Sequence, residues 1–326
     1  MIEILSSAAL ATVQDLGRTG SLRYGVGTAG AMDQLALSIG NLLLGNDVGA
    51  AGLEIPVFPF QLRFNGDCAF ALTGAHGSAT LDSATLNPWW VQQARAGQVL
   101  TLGLPVIGTG SRTYLALAGG IDVPEVLGSR STQLRGNFGG QLGRALRQGD
   151  VLQACKPGLR PDVDFGVVPP ASQLPFEVDG IPAIRVLPAA EYLGFQSASR
   201  DAFWASTWKI TAQSDRYGFR LSGEPLLPIA PMEIRSHGIV PGVIQVPPGG
   251  QPIVQMRDAQ PSGGYPKFGT VIEADLWRLS QSAAGSRVRF VETTYDGAVA
   301  ALAQTQAWLD DVRRLVDLQR WALQRN

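Results

Sequence analysis

Glycine and proline set the strongest limit on how this sequence can fold. Across residues 1–155 they, together with aspartate, interrupt the chain at intervals of roughly eight to twelve residues. Between the interruptions lie short apolar or alternating runs: Phe58–Phe64, Ala69–Leu72, Val99–Leu102 and Thr113–Leu117. Runs of that length suit strands and breaks of that kind suit turns, so the spacing predicts an all-β barrel or sandwich. One helix is expected within it, from Ala31 to Leu44. There Met32, Leu35, Ile39 and Leu42 recur at helical spacing, and Gly45 stops the run.

At 326 residues the chain exceeds what one hydrophobic core usually supports. Residues 1–155 read as one β-barrel-like domain. Residues 156–182 contain Pro157, Pro161, Pro169, Pro170 and Pro175 and little periodicity, which reads as a linker. Residues 183–294 read as a second β domain. Its strands are expected at Ala183–Leu187, Trp208–Ala212, Val243–Val246, Ile253–Met256 and Arg287–Glu292, with short helices near Arg200–Ala205 and Glu273–Gln281. Residues 295–326 read as a long amphipathic helix. Leu302, Leu309, Val316 and Leu323 recur every seventh residue, Val312 and Leu315 widen the stripe, and the helix is expected to pack on the protein's own barrel.

Composition removes several functions. Charged residues are 16% of the chain against roughly 25% in an average soluble domain, and the net charge is −1. A nucleic-acid partner would call for a basic surplus, so none is expected. No apolar run approaches the roughly 18 residues of a membrane span, and Met1–Leu5 lacks the basic start of a secretory signal, so the expected location is the cytoplasm. Low charge density also fits a protein whose surface is covered by partners. The three lysines, Lys156, Lys209 and Lys267, include none that follows a glycine and none between methionines. A P-loop and a biotin-carrier lysine are therefore both missing. With Cys68 and Cys155 far apart and only His76 and His237, no metal site is expected.

Four segments concentrate polar chemistry. Gly25–Gly30 satisfies GxGxxG ahead of the expected helix, but the preceding residues are polar and no βαβ units follow. An anion or carboxylate held by the loop amides is the better reading. Thr12–Arg18 gathers Gln14, Asp15 and Arg18, and Ser214–Gly218 places Arg216 ahead of a glycine. Both arginines read as exposed turn residues free to meet an anion, with a turn cap at Asp15 paired to Arg18 as the structural alternative. The densest block runs through His237 and Gln245 to Arg257, Asp258, Gln260 and Tyr265. Strand ends can bring these to one barrel mouth, with His237 and Asp258 sharing a proton.

Three long runs carry a specific resemblance: TVQDLGRTG with GVGTAGAMDQLAL, then YLALAGGIDVPEVLGSRST, then SHGIVPGVIQVPPGGQPIVQMRDAQPSGGYPKFGTVIEADL. The chain resembles the family of prokaryotic 5-oxoprolinase C subunits, also labelled allophanate-hydrolase subunit 2 or biotin-dependent carboxyltransferase, and is similar to part of urea carboxylase. The resemblance implies a mainly β fold of two cyclophilin-like β-barrel halves, with a few helices and a long C-terminal helix. The partners it implies are the A and B subunits of the 5-oxoprolinase, of which B is small and cyclophilin-like. The complex would use ATP with Mg to open 5-oxoproline to glutamate, and this chain would carry no covalently bound biotin.

A lactam is a resonance-stabilised amide, so its opening calls for carbonyl activation, most simply by phosphorylation from ATP, and for a group that moves a proton. Arg18, Arg216 and Arg257 are the candidate cations and His237 and Asp258 the candidate proton carriers. Gln14, Asp15, Gln245, Gln260 and Tyr265 are candidates to bind and orient the substrate. Two other functions stay open: a regulatory module that antagonises an inhibitor of a histidine kinase, and carboxyl transfer from a separate biotinyl protein.

Overall fold

The computed structural model describes residues 1–6, 10–156 and 165–323, so Pro157 and Pro161 lie outside the described residues. Two compact units emerge: Met1–Arg18 with Ala29–Gln173 and Ala307–Asn326, and Thr19–Thr28 with Leu174–Gln306.

The first unit is built from two antiparallel sheets. One has seven strands in the order Ile121–Asp122, Val151–Ala154, Ile2–Ile4, Phe60–Phe64, Val99–Pro105, Gly77–Leu81 and Ala84–Thr85. The other has five, in the order Thr12–Gln14, Gly52–Ile55, Thr113–Leu117, Cys68–Gly74 and Val91–Ala94. In Phe60–Phe64 the alternation is plain: Phe60, Leu62 and Phe64 join Ile2, Ile4 and Leu100 in the core, while Gln61 faces water. Val13, Leu53, Phe70, Leu72 and Leu115 of the five-stranded sheet enter the same core.

That sheet is covered on its other face by the helix Gln34–Leu44, whose Leu37, Ile39 and Leu43 meet Ala69, Ala71 and Ala116. Burial on both faces explains why Cys68–Gly74 and Thr113–Leu117 are continuous apolar runs and not alternating ones. The helix begins three residues later than its periodicity suggests, because Asp33 caps it by accepting from the Ala36 N–H at 2.9 Å. Gly45 ends it in the left-handed conformation, φ 63°.

The second unit contains a closed seven-stranded barrel. Its order is Ile181–Pro188, Lys267–Val271, Val243–Gln245, Ile253–Gln255, Gly218–Ser222, Thr207–Ile210 and Arg287–Glu292, which returns to Ile181–Pro188. The closing pair is parallel, with Ile184 opposite Phe290, and every other pair in the ring is antiparallel. Closure through hydrogen bonds thus belongs to this unit, whereas the first unit distributes its strands over two sheets. An aromatic cluster fills its interior. Phe203, from the helix Ser197–Ala205, stacks on Phe290 at 4.9 Å and lies 4.4 Å from Phe268 and 5.5 Å from Trp208.

The expected linker is partly structured, since its described residues include the helix Pro170–Gln173 and the strand Glu177–Val178. The helix Tyr295–Leu323 forms as expected, but its covered residues differ from the heptad reading. Ala301, Val312 and Val316 are buried, while Leu302 and Leu315 are 48% and 56% exposed. Ala301 packs with Ile272 and Ala274, and Val312 and Val316 join the cluster around the helix Gln34–Leu44. A 3.6-residue turn drifts off a seven-residue repeat over this length, so small Ala301 replaces Leu302 on the buried side. The Leu323 side chain lies outside the described residues.

Phe203 is fully buried among four other aromatic rings, those of Trp204, Trp208, Phe268 and Phe290. Phe203→Ala should therefore destabilise the barrel unit by about 3–5 kcal/mol, read from urea unfolding followed by tryptophan fluorescence.

Candidate functional site

The Thr12–Arg18 segment is a structural knot. The Asp15 carboxylate accepts from Ser129 Oγ at 2.7 Å, Ser131 Oγ at 2.5 Å, the Arg130 N–H at 2.6 Å and the Gly17 N–H at 2.7 Å. Arg18 is 1% exposed, so it is not the exposed turn arginine that its neighbours suggest. It donates to the Ser131 carbonyl at 2.6 Å and lies over the Phe138 ring at 4.8 Å. Gln14 donates to Thr12 Oγ1 and the Thr132 carbonyl at 3.0 and 3.2 Å. All three residues staple this segment to residues 129–138, more than 110 positions away, which is why no local pattern announced the role.

Just past the Gly25–Gly30 loop, ahead of the helix Gln34–Leu44, the Met32 amide holds a carboxylate, and it is the protein's own. Glu54 Oε2 accepts from the Met32 N–H at 2.7 Å and from the Tyr114 hydroxyl at 2.8 Å, and that hydroxyl accepts from the Asp33 N–H. Burial, then the charge of Glu54, pushes the Tyr114 phenol well above its ordinary value. The internal ligand accounts for these donors without an external anion.

In the second unit, Arg216 and Asp258 form a buried two-point pair, with Nε to Oδ2 at 3.0 Å and Nη2 to Oδ1 at 2.9 Å. Arg216 is 8% exposed, so it too departs from the turn reading. Asp258 therefore serves Arg216 and not His237, whose ring contacts lie elsewhere. Arg257 Nη2 donates to Glu273 Oε1 at 2.7 Å. Gln260 presents a buried Oε1 without a hydrogen-bond partner, and Tyr265 is 48% exposed.

His237 meets a residue whose role its sequence context did not reveal. The strand His237–Gly238 pairs with Ser262–Gly263, with His237 opposite Gly263. Lys267 opens the barrel strand Lys267–Val271 opposite Gln245, at a register shift after Ile244. Its Nζ donates to the Gly263 carbonyl at 3.1 Å and lies 3.3 Å from His237 Nδ1, which is also 3.2 Å from the Arg235 carbonyl. Lys267 is 4% exposed, and burial pulls its ammonium pKa down while the charge of Glu191 partly opposes that shift. The available signal was scarcity: one of only three lysines lies two residues after Tyr265 in the densest polar block.

A two-sheet unit and a closed β barrel with a polar cluster at one strand start define a carboxyltransferase-type domain pair, and the model of the carboxyltransferase domain, subdomain A and B, matches residues 24–292. The 5-oxoprolinase C subunit of Haemophilus influenzae is 40% identical over 318 residues, covering 97% of this chain and 99% of that protein. Its Escherichia coli counterpart is 42% identical, with 96% and 97% covered. The crystal structure of the K. lactis urea amidolyase superposes with a TM-score of 0.86 at 31% identity over 95% of this chain, which spans 20% of that larger protein. The chain belongs to the 5-oxoprolinase C-subunit family of carboxyltransferase-type proteins.

Removing Asp258 would strand a buried guanidinium, so Asp258→Ala should cost about 3–5 kcal/mol in chemical denaturation, and the paired change Arg216→Met with Asp258→Leu should recover part of it. Arg18→Ala should likewise lower the melting temperature, because the Ser131 carbonyl loses the guanidinium that donates to it and the Phe138 ring loses the cation packed on it.

Proposed function

We propose that this chain is the C subunit of an ATP-hydrolysing 5-oxoprolinase that opens 5-oxoproline to L-glutamate, acting with the A and B subunits in the cytoplasm. The observation that carries this reading is reciprocal coverage. The two 5-oxoprolinase C subunits match from end to end, whereas the chain corresponds to only 17% of the Lachancea kluyveri urea amidolyase. Among the described residues, no helix is long and apolar enough to cross a membrane.

ATP supplies the phosphoryl group that activates the lactam oxygen. Among the described residues, the cations singled out by sequence are already engaged within the protein. Arg216 and Arg257 are held by carboxylates, Arg18 is buried against carbonyls, and no group of three His, Cys, Asp or Glu among the described residues could hold a metal ion. The contribution of this chain lies in orienting the amide. The buried, unpartnered Gln245 Nε2 and Gln260 Oε1 can donate to a carbonyl oxygen and accept from an amide N–H. His237 is exposed at its strand, where its imidazole can hydrogen-bond a substrate.

Carboxyl transfer from a separate biotinyl protein is the second reading, favoured by the close superposition on urea amidolyase. Reconstitution separates the two. With the A and B subunits present, release of glutamate and 5-oxoproline-dependent ATP hydrolysis should require this chain and should be unaffected by avidin. Full turnover in its absence would overturn the proposal, and inhibition by avidin would move the assignment to carboxyl transfer.

A further inference from the structure

Gly263 is a shared wall for three side chains. Its carbonyl accepts from Lys267 Nζ, its backbone pairs with His237, and a Cβ added to it would collide with Gln245 Nε2. Gln245 and Lys267 are register partners in the barrel, so their side chains leave the same face of the sheet. Gln245 is 1% exposed, yet its amide nitrogen has no hydrogen-bond acceptor. A buried amide donor left unmade costs about 1–3 kcal/mol, which a folded chain retains where a ligand supplies the acceptor. Lys267 has three N–H groups, and the contacts to Gly263 and His237 use at most two.

We propose that Lys267 Nζ and Gln245 Nε2 form a donor pair that binds an anionic or carbonyl oxygen of the substrate. The choice of 5-oxoproline as the natural ligand rests on the function proposed above; the donor pair itself rests on geometry alone.

The proton linkage follows from the contacts of one nitrogen. When Lys267 is an ammonium, His237 Nδ1 must accept from it and the imidazole proton sits on Nε2. When Lys267 is neutral, Nδ1 can carry the proton and donate to the Arg235 carbonyl at 3.2 Å. Glu191 is the carboxylate that favours the charged lysine, the Gly263 carbonyl accepts from its Nζ, and the Arg235 carbonyl faces His237 Nδ1. An arriving anionic oxygen adds attraction to the ammonium and raises its pKa, so ligand binding and proton uptake reinforce each other.

With three lysines in the chain, the Nζ groups can be followed individually by NMR in full-length protein labelled with ¹³C,¹⁵N-lysine. Lys267 should titrate below the ordinary lysine range. Its titration should move upward with 5-oxoproline, and two probes identify the bound oxygen. A shift with propionate assigns the site to a carboxylate, and a chemical-shift change with 2-pyrrolidinone assigns it to the lactam oxygen. Gln245→Leu should weaken the response about tenfold, the scale of one lost hydrogen bond. Gly263→Ala, whose added Cβ displaces the Gln245 amide, should do the same if the first variant folds poorly. No response of Lys267 to any of the three compounds overturns the proposal. A response to propionate or 2-pyrrolidinone with none to 5-oxoproline keeps the donor pair and removes the substrate assignment instead.

Discussion

The parallel pairing of Ile181–Pro188 with Arg287–Glu292 is the constraint on which the second unit depends. The other barrel pairs make a twisted ribbon with two free edges, and this ladder removes both. It also encloses the aromatic cluster around Phe203, since Phe290 comes from one closing strand and Phe268 from the strand beside the other. The same closure holds Lys267–Val271 between Ile181–Pro188 and Val243–Gln245, which is what sets Lys267 against Gln245.

A chain with few charges has placed several of them indoors, and those are paired almost entirely within the protein. Asp275 is fully buried and accepts from the Arg185 guanidinium at 2.7 and 2.8 Å and from its N–H at 2.8 Å, while Arg278 adds a further contact. Asp15, Glu54 and Asp258 are similarly filled by hydroxyls, amides or arginine. Such groups are costly to bury and costly to unpair, so they hold segments distant in sequence in a defined register. What remains for chemistry in the block from His237 to Lys267 is of another kind: the Gln245 and Gln260 amides, each with an unfilled donor or acceptor, the exposed His237 imidazole and the desolvated Lys267 amine.

Much of the fold was readable from local pattern. The helix Glu273–Gln281 and the strand Arg287–Glu292 occur with the bounds their sequence suggests, and Thr113–Leu117 does as well. Each is legible because its periodicity or apolar run exceeds any competing local signal. The heptad stripe of the last helix was legible as a helix but not as a face, because the surfaces that cover it come from other parts of the chain.

Sequence alone determined that the chain is β-rich, that it contains a polar block from His237 to Tyr265, and, through long matching runs, which family it resembles. These properties are written in short-range spacing and residue identity. Tertiary structure decided which polar residues are scaffold and which are available. Arg18 and Arg216 resemble site arginines until carbonyls and a carboxylate from distant segments enclose them. Lys267 resembles an ordinary surface lysine until barrel closure buries it beside His237 and Gln245. The reason is physical: burial and hydrogen-bond pairing depend on partners 30 to more than 100 residues away, and a local pattern carries no record of them.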